Sequence, residues 1–266
     1  TQFSGEPQVF LTRDQLTIST KPAFDTVARF FDQAWCPPAG ALSATLFKPR
    51  GVALELALAE SMDEIILRLV TEQGVETVLN LAAGLDVRPY RLDLPRALQW
   101  FDVDLEGILS YKEAALAGET PRCRVEFVHA DLTSPATRRA LFQRVGATAK
   151  RALVIAEGLL VYLTPEDVLA LATDLAAQPT FQWWLIDLAS PARLEWLKRS
   201  WGDQLRQGNA PMRFAPESGT EFFAPAGWRE EEYHPMLDEA IRLRRGPRLA
   251  WLWKLMALLA PKKRRE

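Results

Sequence analysis

Apolar positions along the chain follow two periods. Between Gly51 and Gln73 the residues Leu54, Leu58, Met62, Ile65, Ile66 and Leu69 trace one stripe at helical spacing, and Gly74 supplies the terminator. Beyond it, short apolar runs alternate with helical patterns. Strands are predicted near 76–81, 97–103, 124–129, 151–156 and 181–188, and helices near 105–117, 135–145, 165–177 and 191–207. A run such as Ala152-Leu-Val-Ile-Ala156 has no polar face, which predicts a strand covered on both sides. Alternation of this kind predicts an α/β fold, a doubly wound, mostly parallel Rossmann-like sheet. Thr164-Pro-Glu-Asp167 marks one helix start, with Thr as N-cap, Pro at the first helical position and acids in the first turn.

The flanks are less regular. Phe24, Val27, Phe30 and Phe31 stand at helical spacing ahead of a Cys36-Pro-Pro-Ala-Gly40 break, so residues 1–50 are expected to form an N-terminal helical cap. After Gln207 the pattern predicts a short helix over Glu217–Ala224, a strand over Trp228–His234 and a helix over Pro235–Leu243. The apolar Trp251–Leu259 is either a helix or a last strand. No repeat or low-complexity linker divides the chain. A single domain over 1–266 is expected, with the cap at 1–50, the α/β core at 51–207 and an embellishment at 208–266.

Composition narrows the class. A chain of 266 residues with 48% hydrophobic content can bury a sizeable core. With a formal net charge of -2 nothing global attracts nucleic acid, although Ala240–Glu266 carries nine basic residues and one acid, read as a solvated basic tail. Cys36 and Cys123 match no metal or redox spacing, and two histidines, His129 and His234, form no cluster with them, so no metal is expected. No charged-then-apolar leader and no apolar run of about 18 residues is present, and a cytoplasmic protein without membrane partner is expected.

Candidate chemistry gathers at the predicted carboxyl ends of the strands, where an open parallel sheet binds its ligand. Strand one ends in the small-residue turn Ala82-Ala83-Gly84, strand two at Asp102 and Asp104, strand three at Ala130-Asp131-Leu132, and strand four at Glu157-Gly158. Three acidic ends beside a small-residue turn suit an adenosine that carries a positive sulfonium. One carboxylate can take the ribose hydroxyls, another the adenine amino group, and a third can add negative potential near a cation. A pyrophosphate is served poorly, because Leu81-Ala-Ala-Gly-Leu-Asp-Val87 keeps one glycine of the dinucleotide pattern G-x-G-x-x-G. The residues favour S-adenosylmethionine over NAD.

Asn80-Leu-Ala-Ala-Gly-Leu-Asp-Val-Arg-Pro-Tyr-Arg-Leu92, Phe101-Asp-Val-Asp-Leu105, Ala130-Asp-Leu132 and Ala156-Glu-Gly-Leu-Leu-Val-Tyr-Leu-Thr-Pro-Glu166, in this order, resemble the leucine carboxyl methyltransferase family of class I methyltransferases. Within it the chain is similar to the bacterial branch that includes polyketide O-methyltransferases, and Phe222-Phe-Ala-Pro-Ala-Gly-Trp228 shares that likeness. The resemblance covers about 60–245. It implies that Ala82, Ala83 and Gly84 face the methionine part of the cofactor, that Asp104 takes the ribose hydroxyls, that Asp131 and the Leu132 backbone hold the adenine, and that Glu157 sits beside the amino acid end. Two positions depart from the family. Ala82 stands where the family has Gly, a modest crowding of the turn, and Leu58 stands where a helical Arg is expected, leaving Arg50 and Arg88 as candidates to meet the cofactor carboxylate.

Plainer roles compete at each position. Asp104 and Asp131 can cap the helices that follow, Asp102 reads as a structural or solvated neighbour, and Asp86 with Arg88 can form a local ion pair. Tyr162 reads as a packed aromatic, His129 as core-lining and His234 as surface. No catalytic residue is assigned. A carboxylate acceptor is ionised at neutral pH and needs no general base, whereas a phenol benefits from one, and no His stands in a motif position to serve. The expected reaction is therefore O-methylation of a small-molecule carboxylic acid first, and of a phenolic or enolic hydroxyl second. The apolar cap and the Trp-rich late segments fit a bulky hydrophobic or aromatic acceptor, and the resemblance implies a polyketide-like one. A non-catalytic cofactor-binding protein and an NAD-dependent oxidoreductase are the alternatives.

Overall fold

A computed structural model describes residues 49–196, 198–199 and 212–243. The cap expected up to residue 48 and the apolar run Trp251–Leu259 lie outside the described residues. Helix α1 (Pro49–Glu72) precedes β1 (Thr77–Leu81), the one-turn α2 (Arg88–Arg91), β2 (Gln99–Asp104), α3 (Glu106–Leu116), β3 (Arg124–His129) and α4 (Pro135–Thr148). The chain continues through β4 (Ala152–Ala156), a 3-10 turn (Leu160–Tyr162), α5 (Pro165–Ala176), β5 (Phe181–Ile186), a second 3-10 segment (Gly219–Ala226) and α6 (Met236–Arg242). Residues 191–196 and 198–199 are helical as expected, and the rest of the helix predicted there lies outside the described residues.

The five strands form one parallel sheet in the order β3-β2-β1-β4-β5. This is the doubly wound arrangement that the alternating pattern predicts: the chain moves outward through β2 and β3, then returns to the other side of β1 for β4 and β5. The central strands β1 and β4 are buried along their whole length. Their alternate residues serve opposite faces. Val78, Leu153 and Ile155 pack with Ala59, Met62, Ile66, Leu69 and Val70 of α1, whereas Leu79, Leu81 and Val154 pack with Leu141, Phe142 and Val145 of α4 and Val168, Leu171 and Leu175 of α5. Ser134 and Thr164 cap α4 and α5 by accepting from the N–H three residues on, each ahead of Pro at the first turn.

One predicted element is absent. Trp228–His234 is not a strand. Two of the three consecutive glutamates there have side-chain partners instead of a ladder: Glu230 accepts from Thr220 and Glu232 from Arg68 of α1. The Trp228 indole meanwhile donates to the Ala172 carbonyl of α5 at 2.9 Å. The segment thus drapes over the sheet edge. Among the described residues, no helix is long and apolar enough to cross a membrane.

A buried polar layer ties the sheet to α3. Lys112 of α3 lies 2.7 Å from Asp102 Oδ2 of β2, with side chains 1% and 0% exposed. Asp102 Oδ1 accepts from the Trp100 indole at 2.8 Å and from Asn80 Nδ2 of β1 at 3.1 Å. Asp102 is therefore a structural anchor, and burial raises its carboxyl above the ordinary range despite Lys112. Stripping one partner from such a pair leaves a dry charge, at a cost of about 3–5 kcal/mol. Lys112→Met is expected to lower stability in urea by about that amount, with Lys112→Met/Asp102→Asn recovering part of it. A loss under about 1 kcal/mol for the single variant would show the pair to be energetically idle.

Candidate functional site

Because the strands are parallel, their carboxyl ends lie along one edge of the sheet in the same spatial order. Asp131 follows β3, Asp104 ends β2, Ala82-Ala83-Gly84 follows β1, Glu157 follows β4 and Asp187 follows β5. The strand order reverses between β1 and β4, where an open α/β sheet leaves its ligand crevice. From β3 to β4 is three strand spacings, roughly 14 Å.

The β1 turn is built from strained backbone. Ala82 and Gly84 both adopt positive φ, 53° and 48°. The Ala83 N–H donates to the Val103 carbonyl, and the Gly84 N–H donates to Asp104 Oδ2 at 2.7 Å. Asp104 Oδ1 accepts from the Leu105 N–H at 2.7 Å. Both carboxylate oxygens are thus oriented by main chain, each keeping a further acceptor direction. Burial raises the Asp104 carboxyl, opposed by these two N–H donors. Asp104 does not cap α3, whose N-cap is Leu105 with no side-chain bond.

The same turn is unsuited to phosphate. Gly84 N–H is already committed to a carboxylate, and the helix that follows, α2, is four residues long. Its entry is occupied by an acid, since Asp86 Oδ1 accepts from the Arg88 N–H at 2.8 Å. Neither a free amide cradle nor a long helix N-terminus is offered.

Arg88 gathers the acids behind this edge. Its guanidinium is 1% exposed and contacts Asp63 of α1 through Nε at 2.7 Å, Asp86 through Nη1 at 2.8 Å, and Glu157 Oε2 through Nη1 at 2.8 Å. Apart from Arg88, Glu157 Oε2 is buried without a partner. Arg91 adds a second cation on Asp63, and Asn80 Nδ2 joins Asp86 to Asp102. Despite burial, Asp86, Glu157 and Asp63 hold Arg88 well above its ordinary value, and Arg88 in turn keeps Asp86 below its own. Arg88 Nη2 is buried without a hydrogen-bond partner. An orphaned cationic donor at a ligand edge is what the carboxylate of an amino-acid arm would satisfy. Arg50 has a side chain outside the described residues.

Glu157 stands apart from the other acids in its titration. Burial, with Asp86 and Asp187 nearby, pushes it up to about 7 against the pull of Arg88. Asp131 is exposed, and Thr133 holds it below the ordinary carboxyl range by donating both its hydroxyl and its N–H to Oδ1. Helix α4 takes its cap from Ser134, not Asp131. The Ala130 N–H donates to the Asp104 carbonyl at 2.9 Å, tying those two strand tips together.

One expectation changes. His129 does not line the core: it is exposed, with Nδ1 2.9 Å from Glu106 and Nε2 2.8 Å from Glu113, because an outer strand leaves its end open to the acids of α3. Ala82 carries, besides the crowding expected of it, the burden of a left-handed dihedral. Asp63 and Asp187 were not singled out from sequence. Asp63 is an acid beside the buried stripe of α1, and Asp187 closes an apolar strand just as Asp104 does; those positions were the available signals. Among the described residues no group of His, Cys, Asp and Glu is arranged to hold a metal ion.

Residues 47–176 match the model of the family described as leucine carboxyl methyltransferase. A Parafrankia sp. protein is 38% identical over 166 residues, covering 55% of this chain and 52% of its own length. A Saccharopolyspora erythraea protein is 34% identical over 185 residues, covering 65% of this chain and 62% of its own. Both are named "Putative S-adenosyl-L-methionine-dependent methyltransferase". The chain thus spans less than two thirds of the length of these relatives. A crystal structure of a DUF574 family protein from Streptomyces avermitilis shares the fold, with a TM-score of 0.55 at 19% identity over 74% of this chain and 81% of that one.

The dihedral at Ala82 yields a direct test. Left-handed backbone costs a residue with a Cβ about 1–2 kcal/mol, partly offset by the greater unfolded-state freedom of glycine. Ala82→Gly is expected to raise the unfolding free energy by roughly 0.5–1 kcal/mol in urea; a destabilised variant would mean the turn is not strained.

Proposed function

We propose, from the match of residues 47–176 to the model of the leucine carboxyl methyltransferase family, an S-adenosylmethionine-dependent methyltransferase acting on an oxygen of a small-molecule acceptor. The observation that carries the reading is the Asp104 clamp. A carboxylate fixed by Gly84 N–H and Leu105 N–H faces the ligand edge as a preset acceptor for vicinal hydroxyls, while the amide a phosphate would need is already used.

The other residues take roles along the same edge. Ala82, Ala83 and Gly84 let the cofactor approach the backbone at its methionine part. Asp131 and the Leu132 backbone meet the adenine. Glu157 meets the ammonium of the amino-acid arm and Arg88 Nη2 its carboxylate. When bound, S-adenosylmethionine supplies an electrophilic methyl for in-line displacement, a reaction in which alignment provides much of the rate. The protein's part is to hold the arm between Arg88 and Glu157 so that the methyl has one orientation.

A carboxylate acceptor fits the family's name and arrives already ionised. A hydroxyl acceptor is the second reading. It would need a group beside the acceptor to receive the hydroxyl proton. A panel of hydrophobic carboxylic acids and phenols separates the two: turnover of phenols alone overturns the carboxylate reading. An aromatic acceptor also fits Trp183, Trp184 and Trp228, which line an open groove of about 820 Å³ beside β5.

Cofactor binding carries a pH signature. Because the cofactor-free fold holds Glu157 at about 7, above the ordinary carboxyl value, Glu157 is protonated below pH 7 and ionised above it. A cationic arm needs the ionised form, so binding releases a proton and affinity falls as pH drops below 7, by about tenfold per pH unit. In calorimetry S-adenosylmethionine is expected to bind at pH 8 and NAD not to bind. Asp104→Asn is expected to weaken binding about tenfold or more, and Glu157→Gln to flatten the pH dependence. Binding of NAD with indifference to S-adenosylmethionine would overturn the assignment; binding of the latter without turnover of any acceptor on the panel would leave a non-catalytic binder.

A further inference from the structure

Asp187 is a buried acid that the fold does not explain. It lies at the tip of β5, 7% exposed, and its Oδ1 accepts the Gly158 N–H at 2.7 Å. Gly158 follows Glu157 directly and adopts φ 67°, a left-handed turn that swings the chain from the end of β4 into the 3-10 turn Leu160–Tyr162. No atom stands within 4 Å of where a Cβ would be, so the dihedral and not space requires glycine. The Asp187 hydrogen bond therefore fixes the peptide that presents Glu157 to Arg88.

Holding a peptide N–H does not require a charge. Asparagine offers the same acceptor, and among the described residues no cation pairs with Asp187, so a bare carboxylate there incurs desolvation without local return. The charged and titratable groups around the pair are Arg88 and Asp86 of the β1 turn, Asp63 and Arg91 behind them, and Tyr162 of the 3-10 turn. The two cations are already shared among Asp63, Asp86 and Glu157. What would complete the balance is a positive ligand.

We propose that Asp187 is a positioning residue for the cofactor, acting on Glu157 both through the Gly158 peptide and through its own negative charge. The proposal rests on the cofactor assignment above. In the cofactor-free protein the second acid makes it harder for Glu157 to lose its proton, and Asp187 is among the causes that push Glu157 up to about 7. Arrival of a sulfonium and an ammonium reverses that preference, so the proton leaves as the cation binds.

The test is the dissociation constant of S-adenosylmethionine for the full chain between pH 5.5 and 8.5, measured for wild type, Asp187→Asn and Asp187→Ala. Asp187→Asn keeps the acceptor for Gly158 N–H and removes the charge. It should hold the pH 8 affinity within about threefold and move the midpoint of the pH dependence to lower pH. Asp187→Ala, which also frees the turn, should weaken binding at every pH by about tenfold. Carboxyl ¹³C resonances reporting Glu157 ionisation should show the same downward movement in Asp187→Asn without cofactor, a change that a purely structural role would not produce. An unmoved midpoint in Asp187→Asn, or a loss equal to that of Asp187→Ala at all pH values, overturns this inference alone. Absence of binding by the wild-type chain overturns the cofactor assignment and this inference with it.

Discussion

A single guanidinium, that of Arg88, holds the functional edge together. Three carboxylates from three parts of the chain, Asp63 on α1, Asp86 in the β1 turn and Glu157 after β4, converge on it in a space nearly free of water. Such a cluster forms only because each ion has partners; removing the cation would leave three acids to be hydrated or protonated, and the elements they join would lose their common fixed point. Arg91, already on Asp63, and Asn80, which bridges Asp86 to Asp102, extend the cluster in both directions. The result is continuous polar cement between α1, β1, β2, α3 and β4.

That cement explains why the strand tips can be both precise and polar. Beneath the edge, Asp102 is neutralised by Lys112 and hydrogen-bonded to Trp100, so β2 arrives at Asp104 from a rigid base. Asp104 is then free of structural charge pairing and is oriented only by two backbone N–H groups. Two acids, two residues apart on one strand and so on one face of the sheet, therefore do different work: Asp102 lies within the strand, buried beside α3, while the end of the strand delivers Asp104 to the crevice. The same division holds across the edge, with Asp86 consumed inside the cluster and Glu157 held at its border, its side chain 15% exposed.

Much of this was legible in the residues. The strands were readable because β1 and β4, covered on both faces, are largely apolar, and the cap at Thr164 marks a helix start that depends on local chemistry alone. The order of acidic strand ends followed from topology once the alternation was recognised. What could not be read were pairings between distant positions. Nothing near Asp63 announces that it faces Arg88, since its partner lies 25 residues away and the contact exists only when α1 docks on the sheet. His129 misled because a strand position was equated with the interior, although an outer strand keeps its end open. Trp228–His234 misled because aromatic and charged residues mimic an alternating strand, whereas the glutamates are drawn to Arg68 and Thr220. Asp187 was hidden by being counted as part of the strand it terminates.

The unifying claim is that Arg88 collects the acids so that one row of strand tips presents fixed acceptors to a nucleoside with a positively charged arm, and keeps one guanidinium nitrogen, Nη2, for the arm's carboxylate. The most direct measurement is a crystal structure with S-adenosylhomocysteine bound. The account predicts ribose hydroxyls on Asp104, adenine beside Asp131 and Leu132, and the amino-acid carboxylate within hydrogen-bond distance of Arg88 Nη2. An adenosine seated away from Asp104, or an amino-acid arm that leaves Arg88 Nη2 without a ligand atom, would contradict it.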